Sequence, residues 1–225
     1  MKTPFLRTVL AVVRKDLRAE LRSKELVSSM ALFALLSILI FSFALELDRE
    51  ARESAISGVL WVTVIYASTI GLNRSMAMER EQANLDAMLI SPVDRTAIFF
   101  GKLAGNLIFA IIVGLLLLPI MTILYNKSLI QPLVLAILLL GSVGFSTVGT
   151  LLATMTVQTR ARESLLPIVM LPITLPMMLA AVRATTGILN ASPTDDGVTW
   201  PQILIVLDVV YLAASFLLFE YVIEE

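Results

Sequence analysis

Residues 103–125, LAGNLIFAIIVGLLLLPIMTILY, are 23 consecutive positions without a charge, and they decide the architecture. A helix rises ~1.5 Å per residue and the hydrocarbon layer of a bilayer is ~30 Å thick, so about 20 such residues cross it. Three other stretches meet the same test: residues 27–45 (19 positions), 56–73 (18) and 133–157 (25). Two are less regular. Residues 165–182 (18 positions) contain Pro167, Pro172 and Pro176, and residues 203–219 (17 positions) carry one acid, Asp208. The pattern predicts an all-α membrane protein with six transmembrane helices in one domain, 1–225.

Composition agrees: 58% of the 225 residues are hydrophobic and only 16% charged, against about 25% charged in soluble domains, and the mean hydropathy is +0.89. Seventeen Lys and Arg against eighteen Asp and Glu give a net charge of −1, so no basic field draws the chain to nucleic acid. The sequence has no Cys and no His. That removes thiolate nucleophiles, Fe–S clusters, Cys-ligated zinc, the commonest general base and the usual haem ligand. Nor is there a G-x-x-x-x-G-K-[ST] phosphate loop, an H-E-x-x-H or a G-x-S-x-G. No catalytic, cofactor-binding or metal-ligating residue is assigned, and the chain reads as a non-enzyme that depends on energy supplied by a partner.

Lys and Arg concentrate in cytoplasmic loops. Residues 1–26 hold seven, residues 74–102 four and residues 158–163 two, which is thirteen of seventeen on one side of an even number of spans. Both termini are therefore expected in the cytoplasm, with residues 184–200 forming an outward, periplasmic loop. Residues 1–26 are too interrupted by charge for a cleaved signal peptide. Leu6, Leu10, Val13, Leu17 and Leu21 fall on one helical face and Arg7, Arg14, Arg18 and Arg22 on another, which predicts an amphipathic interfacial helix along the cytoplasmic surface. Its role is open between anchoring the first span and docking a cytoplasmic partner.

The loop 74–102, RSMAMEREQANLDAMLISPVDRTAIFFGK, is too long for a hairpin. Good helix formers over 79–90 predict a short amphipathic helix, ended by Ser91-Pro92. Such a helix either presents a surface to a soluble motor or merely covers the ends of its neighbours. Asp208 lies five residues into the sixth span, ~8 Å from its outer boundary, and Arg183 is the nearest base in the topology; an Arg183–Asp208 ion pair is expected, with a proton or substrate relay as the alternative. Ser142, Ser146, Thr150 and Thr154, with Gly141, Gly144 and Gly149 nearby, indicate close helix packing or a polar lining, and Gly101 with Gly105 gives another small-residue pair. The three prolines of the fifth span imply a kinked or broken helix.

Glu79-Arg80-Glu81, Leu85, Leu89, Ser91-Pro92-Val93, Arg95 and Gly101-Lys102 resemble the segment after the second span in ABC-2-type permeases, although Ala83 stands where a glycine is usual. With Gly58-Val59-Leu60-Trp61-Val62, Leu140-Gly141, Gly144-Phe145, Leu166-Pro167 and the run 171–176 (LPITLP), the chain is similar over about residues 14–225 to the cytochrome c maturation protein B family, also called haem exporter protein B. The resemblance implies an ABC-2 permease fold in the bacterial inner membrane. It further implies that residues 74–102 are a coupling segment whose Glu79, Arg80, Glu81, Leu85, Met88, Leu89 and Pro92 face an ABC ATPase subunit, and that a second copy of the chain completes the permease. ATP would sit on that partner. The complex would act with a haem-handling membrane protein and a periplasmic haem chaperone, coupling ATP hydrolysis to haem delivery or to release of the haem-loaded chaperone, without haem being bound by this chain. Two other readings stand beside it: an ABC-2 permease for a lipid, polysaccharide or drug, and a passive membrane scaffold.

Overall fold

A computed structural model describes residues 4–46, 49–81, 94–156, 162–190 and 196–222. Among these residues there are seven helices and no strand: α1 (Phe5–Ser23), α2 (Glu25–Ala44), α3 (Arg49–Glu81), α4 (Arg95–Tyr125), α5 (Pro132–Thr156), α6 (Arg162–Leu189) and α7 (Asp196–Val222). The last six each contain a stretch long and apolar enough to cross a membrane. In lipid every backbone donor and acceptor must be satisfied within the segment, which is why these sequences resolve into uninterrupted helices.

Two helices outrun the bilayer. α3 has 33 residues and α4 has 31, so at ~1.5 Å per residue they are about 50 and 46 Å long. The expected loop 74–102 is therefore much shorter than its charges suggest. Residues 74–81 are the last turns of α3, residues 95–102 are the first turns of α4, and Asp94 caps α4 by accepting from the Thr96 backbone N–H at 3.0 Å. Most of the helix expected over 79–90 lies outside the described residues. The outward loop shrinks in the same way, because α6 runs to Leu189 and α7 begins at Asp196.

α1 is the expected amphipathic helix outside the six spans, and it packs on the start of α4. Val12 lies against Gly101 and Asp16 against Gly105, and Phe5 meets Phe100 with ring centroids 6.0 Å apart. The C-terminal half of α1 thus runs beside α4 in the same chain direction. Its junction with α2 is a single residue. Lys24 sits at φ 55, and its N–H reaches back to the Glu20 carbonyl. The Glu20 carboxylate then accepts from Leu26 N at 3.1 Å and Val27 N at 2.8 Å, supplying the first amides of α2 with an anionic cap.

α3 is the hub, touching α2, α4, α5 and α6. Its Trp61 is fully buried, donates from Nε1 to Thr185 Oγ1 at 2.9 Å, and lays its ring on Gly141 of α5. Asn106 donates to Thr150 Oγ1 at 2.9 Å. The small residues of α5 serve close packing: Gly144 admits Asp208 and Met177, and Gly149 admits Leu72. α6 is one continuous helix through Pro167, Pro172 and Pro176. In its proline-rich turns Thr174 donates to the Met170 carbonyl at 2.9 Å and Tyr211 to the Ile173 carbonyl at 2.6 Å. Phe99 on α4 and Phe219 on α7 stack 4.6 Å apart, so α7 finishes at the end of the bundle where α1 begins. At the opposite end Arg52 donates to the Leu124 carbonyl and its guanidinium lies 5.3 Å from the centre of the Tyr125 ring.

Gly141→Ala drives a Cβ into the buried Trp61 ring, whereas Gly58→Ala meets nothing within 4 Å. The first is expected to cost about 1–3 kcal/mol and the second to be neutral or slightly stabilising, compared by unfolding midpoints in detergent.

Candidate functional site

Where α1, α3 and α4 converge, four charges meet. Lys102 of α4 is 3% exposed. Its Nζ lies 3.1 and 3.0 Å from the two carboxylate oxygens of Asp16 on α1 and 2.5 Å from Glu79 Oε1 on α3. Lys15 of α1 reaches the same Glu79 oxygen at 2.5 Å and Asp16 at 3.3 Å. Two ammonium and two carboxylate groups alternate in sign and sum to zero, the arrangement that makes burying them tolerable. Burial opposes the charge on Lys15, but the Asp16 and Glu79 carboxylates outweigh it and hold its pKa above the usual lysine value. The group stays ionised at neutral pH.

The sequence prepares this node. Gly105 leaves room for Asp16, whose Oδ2 would stand 3.3 Å from an added Cβ, and Gly101 leaves room for Val12. The pair that reads as a generic small-residue motif is the seat of α1. Beside the node a cavity of about 50 Å³ is bordered by Lys15, Asp16, Ser75 and Glu79. Glu79 Oε2 has no protein partner there, and the space is ample for a bridging water. Further along α3, Arg74 pairs with Glu25 at the start of α2. At this end of the bundle α1, α2, α3 and α4 are cross-linked by ion pairs.

Glu79, expected on a surface facing an ATPase, is buried in this node. Arg80 and Glu81 occupy the last turn of α3. Leu85, Met88, Leu89 and Pro92 lie outside the described residues. Lys15 and Asp16 are not singled out by sequence reasoning, and Lys102 enters it only with Gly101 as part of the family resemblance. The available signal was Lys102 beside Gly101 in an otherwise apolar run, hidden because it counts equally well as a loop charge.

The expected Arg183–Asp208 pair does not form. Arg183 is exposed on α6, while Asp208 is 4% exposed and faces Gly144 of α5 and Met177 of α6. Neither Asp208 oxygen has a hydrogen-bond partner among the described residues. The reason is depth. Asp208 is nine residues into the span Thr199–Phe219, ~14 Å along its axis, and Arg183 is six residues, ~9 Å, beyond the level of Met177. The carboxyl is central in the membrane rather than near its outer boundary. Among the described residues no group of three or more His, Cys, Asp or Glu is placed to hold a metal.

The family profile described as "CcmB protein" matches residues 7–222. The chain is 26% identical over 170 residues to the Heme exporter protein B of Rhodobacter capsulatus, covering 75% of this chain and 78% of that protein. The Pseudomonas aeruginosa protein of the same name is 22% identical over 180 residues, 80% of each chain. That of Bradyrhizobium diazoefficiens is 25% identical over 183 residues, 80% of this chain and 81% of its own length.

Lys102→Met leaves two carboxylates facing one lysine in a buried site and is expected to cost about 3–5 kcal/mol. Adding Glu79→Met restores neutrality and should recover part of that loss in a double-mutant cycle read by thermal unfolding. Arg183→Ala and Asp208→Asn, lacking contact, should combine additively to within about 0.5 kcal/mol.

Proposed function

The chain belongs to the CcmB protein family, and from that membership we propose that it is the transmembrane subunit of an ABC complex for cytochrome c biogenesis. In this reading it is a non-enzymatic membrane component of the haem export system, paired with a second copy of itself and with separate ATPase subunits that hold the ATP. The end carrying α1 lies in the cytoplasm, because the Lys and Arg of residues 1–26, 74–102 and 158–163 gather there. The membrane is then the bacterial inner membrane, with both termini on its cytoplasmic side and the loop within 184–200 outside.

The observation that carries the mechanism is the Lys15–Glu79–Lys102–Asp16 node. The segment 82–93 joins the last turn of α3 to the first turns of α4, and the side chains of Glu79 and Lys102 on these two helices are ion-paired to α1 and to each other. A displacement imposed on that segment by an ATPase cannot be absorbed by sliding of one helix, because sliding separates buried opposite charges. It moves α1, α3 and α4 together, and α3 contacts most of the bundle. The work of ATP hydrolysis reaches the outward end, where a haem-handling membrane protein and a periplasmic haem chaperone engage the complex and the haem-loaded chaperone is released. The contact with the ATPase is made by Arg80, Glu81, Leu85, Met88, Leu89 and Pro92, with Glu79 serving as the internal strut.

The test is the complex purified from its native membrane, with Leu85→Ser and Leu89→Ser on one side and wild type on the other. Removing two apolar anchors should weaken ATPase retention roughly tenfold and lower ATP-dependent chaperone release in proportion. Unchanged release, or a native complex containing no ATPase, overturns the assignment. An ATPase accompanied by no haem-linked protein would instead identify a permease for another cargo.

A further inference from the structure

α1, α2 and α4 enclose an open groove of about 370 Å³ whose walls are Leu17 and Leu21 of α1, Val27 and Ala31 of α2, and Phe109 and Ile112 of α4. Leu21 is 76% exposed and Ile112 41% exposed, a poor arrangement unless something apolar lies against them. Depth says what that is. α2 begins at Glu25, level with Arg74 through their ion pair, and Val27 and Ala31 belong to the first two turns of its span. The groove therefore starts at the headgroup level and descends into the hydrocarbon.

Its rim carries one uncommitted charge. Glu20 and Lys24 both border the groove, but the Glu20 carboxylate is taken by the Leu26 and Val27 amides and Glu25 by Arg74. The Lys24 ammonium has no carboxylate partner among the described residues. Its backbone is also unusual: Lys24 and Asn126 are the two described non-glycine residues with positive φ. Glycine is the ordinary residue at such a helix-to-helix joint, and a side chain there costs about 1 kcal/mol. What the lysine supplies in exchange is an ammonium at the mouth of an apolar slot. Arg14, Arg18 and Arg22, all exposed on α1, extend the positive field.

We infer that this groove is a binding site for one anionic phospholipid of the leaflet at the α1 end, with an acyl chain between α1, α2 and α4 and the phosphate on Lys24. The groove is open along one side and apolar between the three helices, so an extended acyl chain can lie in it with its headgroup at the Lys24 end. The ammonium selects a phosphate with net negative charge over a zwitterionic headgroup. The lipid then wedges the α1–α2 joint against α4, next to the ion-pair node.

The test is native mass spectrometry of the whole chain, stripped of lipid in detergent and titrated with phosphatidylglycerol or phosphatidylcholine. Wild type should retain one phosphatidylglycerol more tightly than phosphatidylcholine. Lys24→Gly removes the ammonium while relieving the backbone strain, so it should fold at least as stably yet lose roughly fivefold in phosphatidylglycerol affinity. Ala31→Phe, which fills the slot, should lose both lipids with the unfolding midpoint kept. Equal retention of the two lipids by wild type, undiminished phosphatidylglycerol binding by Lys24→Gly, or a lipid-free dimer that Ala31→Phe dissociates would each overturn the inference.

Discussion

A lysine buried among three helices governs this molecule. Lys102 has almost no contact with solvent, so its charge is tolerable only if Asp16 and Glu79 are both in reach. That requirement fixes the axial position of α1 and α3 against α4 to within a hydrogen-bond length, and Lys15 completes the neutrality. Packing alone would not set the register so tightly, because a Leu-rich helix surface offers near-equivalent positions one turn apart. Gly101 and Gly105 leave the room that Val12 and Asp16 fill.

From that end the constraint passes down the chain through caps rather than through bulk contacts. Glu20 ends the α1 contribution by binding the first amides of α2, and Arg74 ties α3 to the same level. The middle of the bundle is specified by different means, with Trp61 on Gly141 and hydrogen-bonded to Thr185, and Asn106 bonded to Thr150. In a membrane such pairs are modest in energy but decide which helix faces which. In the proline-rich stretch of α6 the hydroxyls of Thr174 and Tyr211 add hydrogen bonds to the carbonyls of Met170 and Ile173.

The number of spans was legible because length and absence of charge are what hydrocarbon demands, and each uncharged run became a helix. The helix ends were not. A charge count stops a span at Arg74 and begins the next after Lys102, but helices continue through charged residues when the charges find partners, and those partners lie far away in the chain. Asp208 failed for a related reason. The base nearest in the topology, Arg183, belongs to another depth, and only the three-dimensional path shows the carboxyl opposite Gly144. Of the candidate coupling residues, Glu79 lies in the ion-pair node, and its partners there, Lys15 and Lys102, are ones that no local pattern connects to it.

The stacking of Phe99 on Phe219 joins the fourth helix of the chain to the last. Spans are made in order, so Phe99 and Phe100, the latter with Phe5 already against it, stand without their final covering until α7 has been synthesised and has turned back toward the starting side. A chain without α7 leaves the Phe219 side of this aromatic face uncovered. The contact that closes this face therefore forms only once α7 lies beside α4, late in the order in which the spans are made.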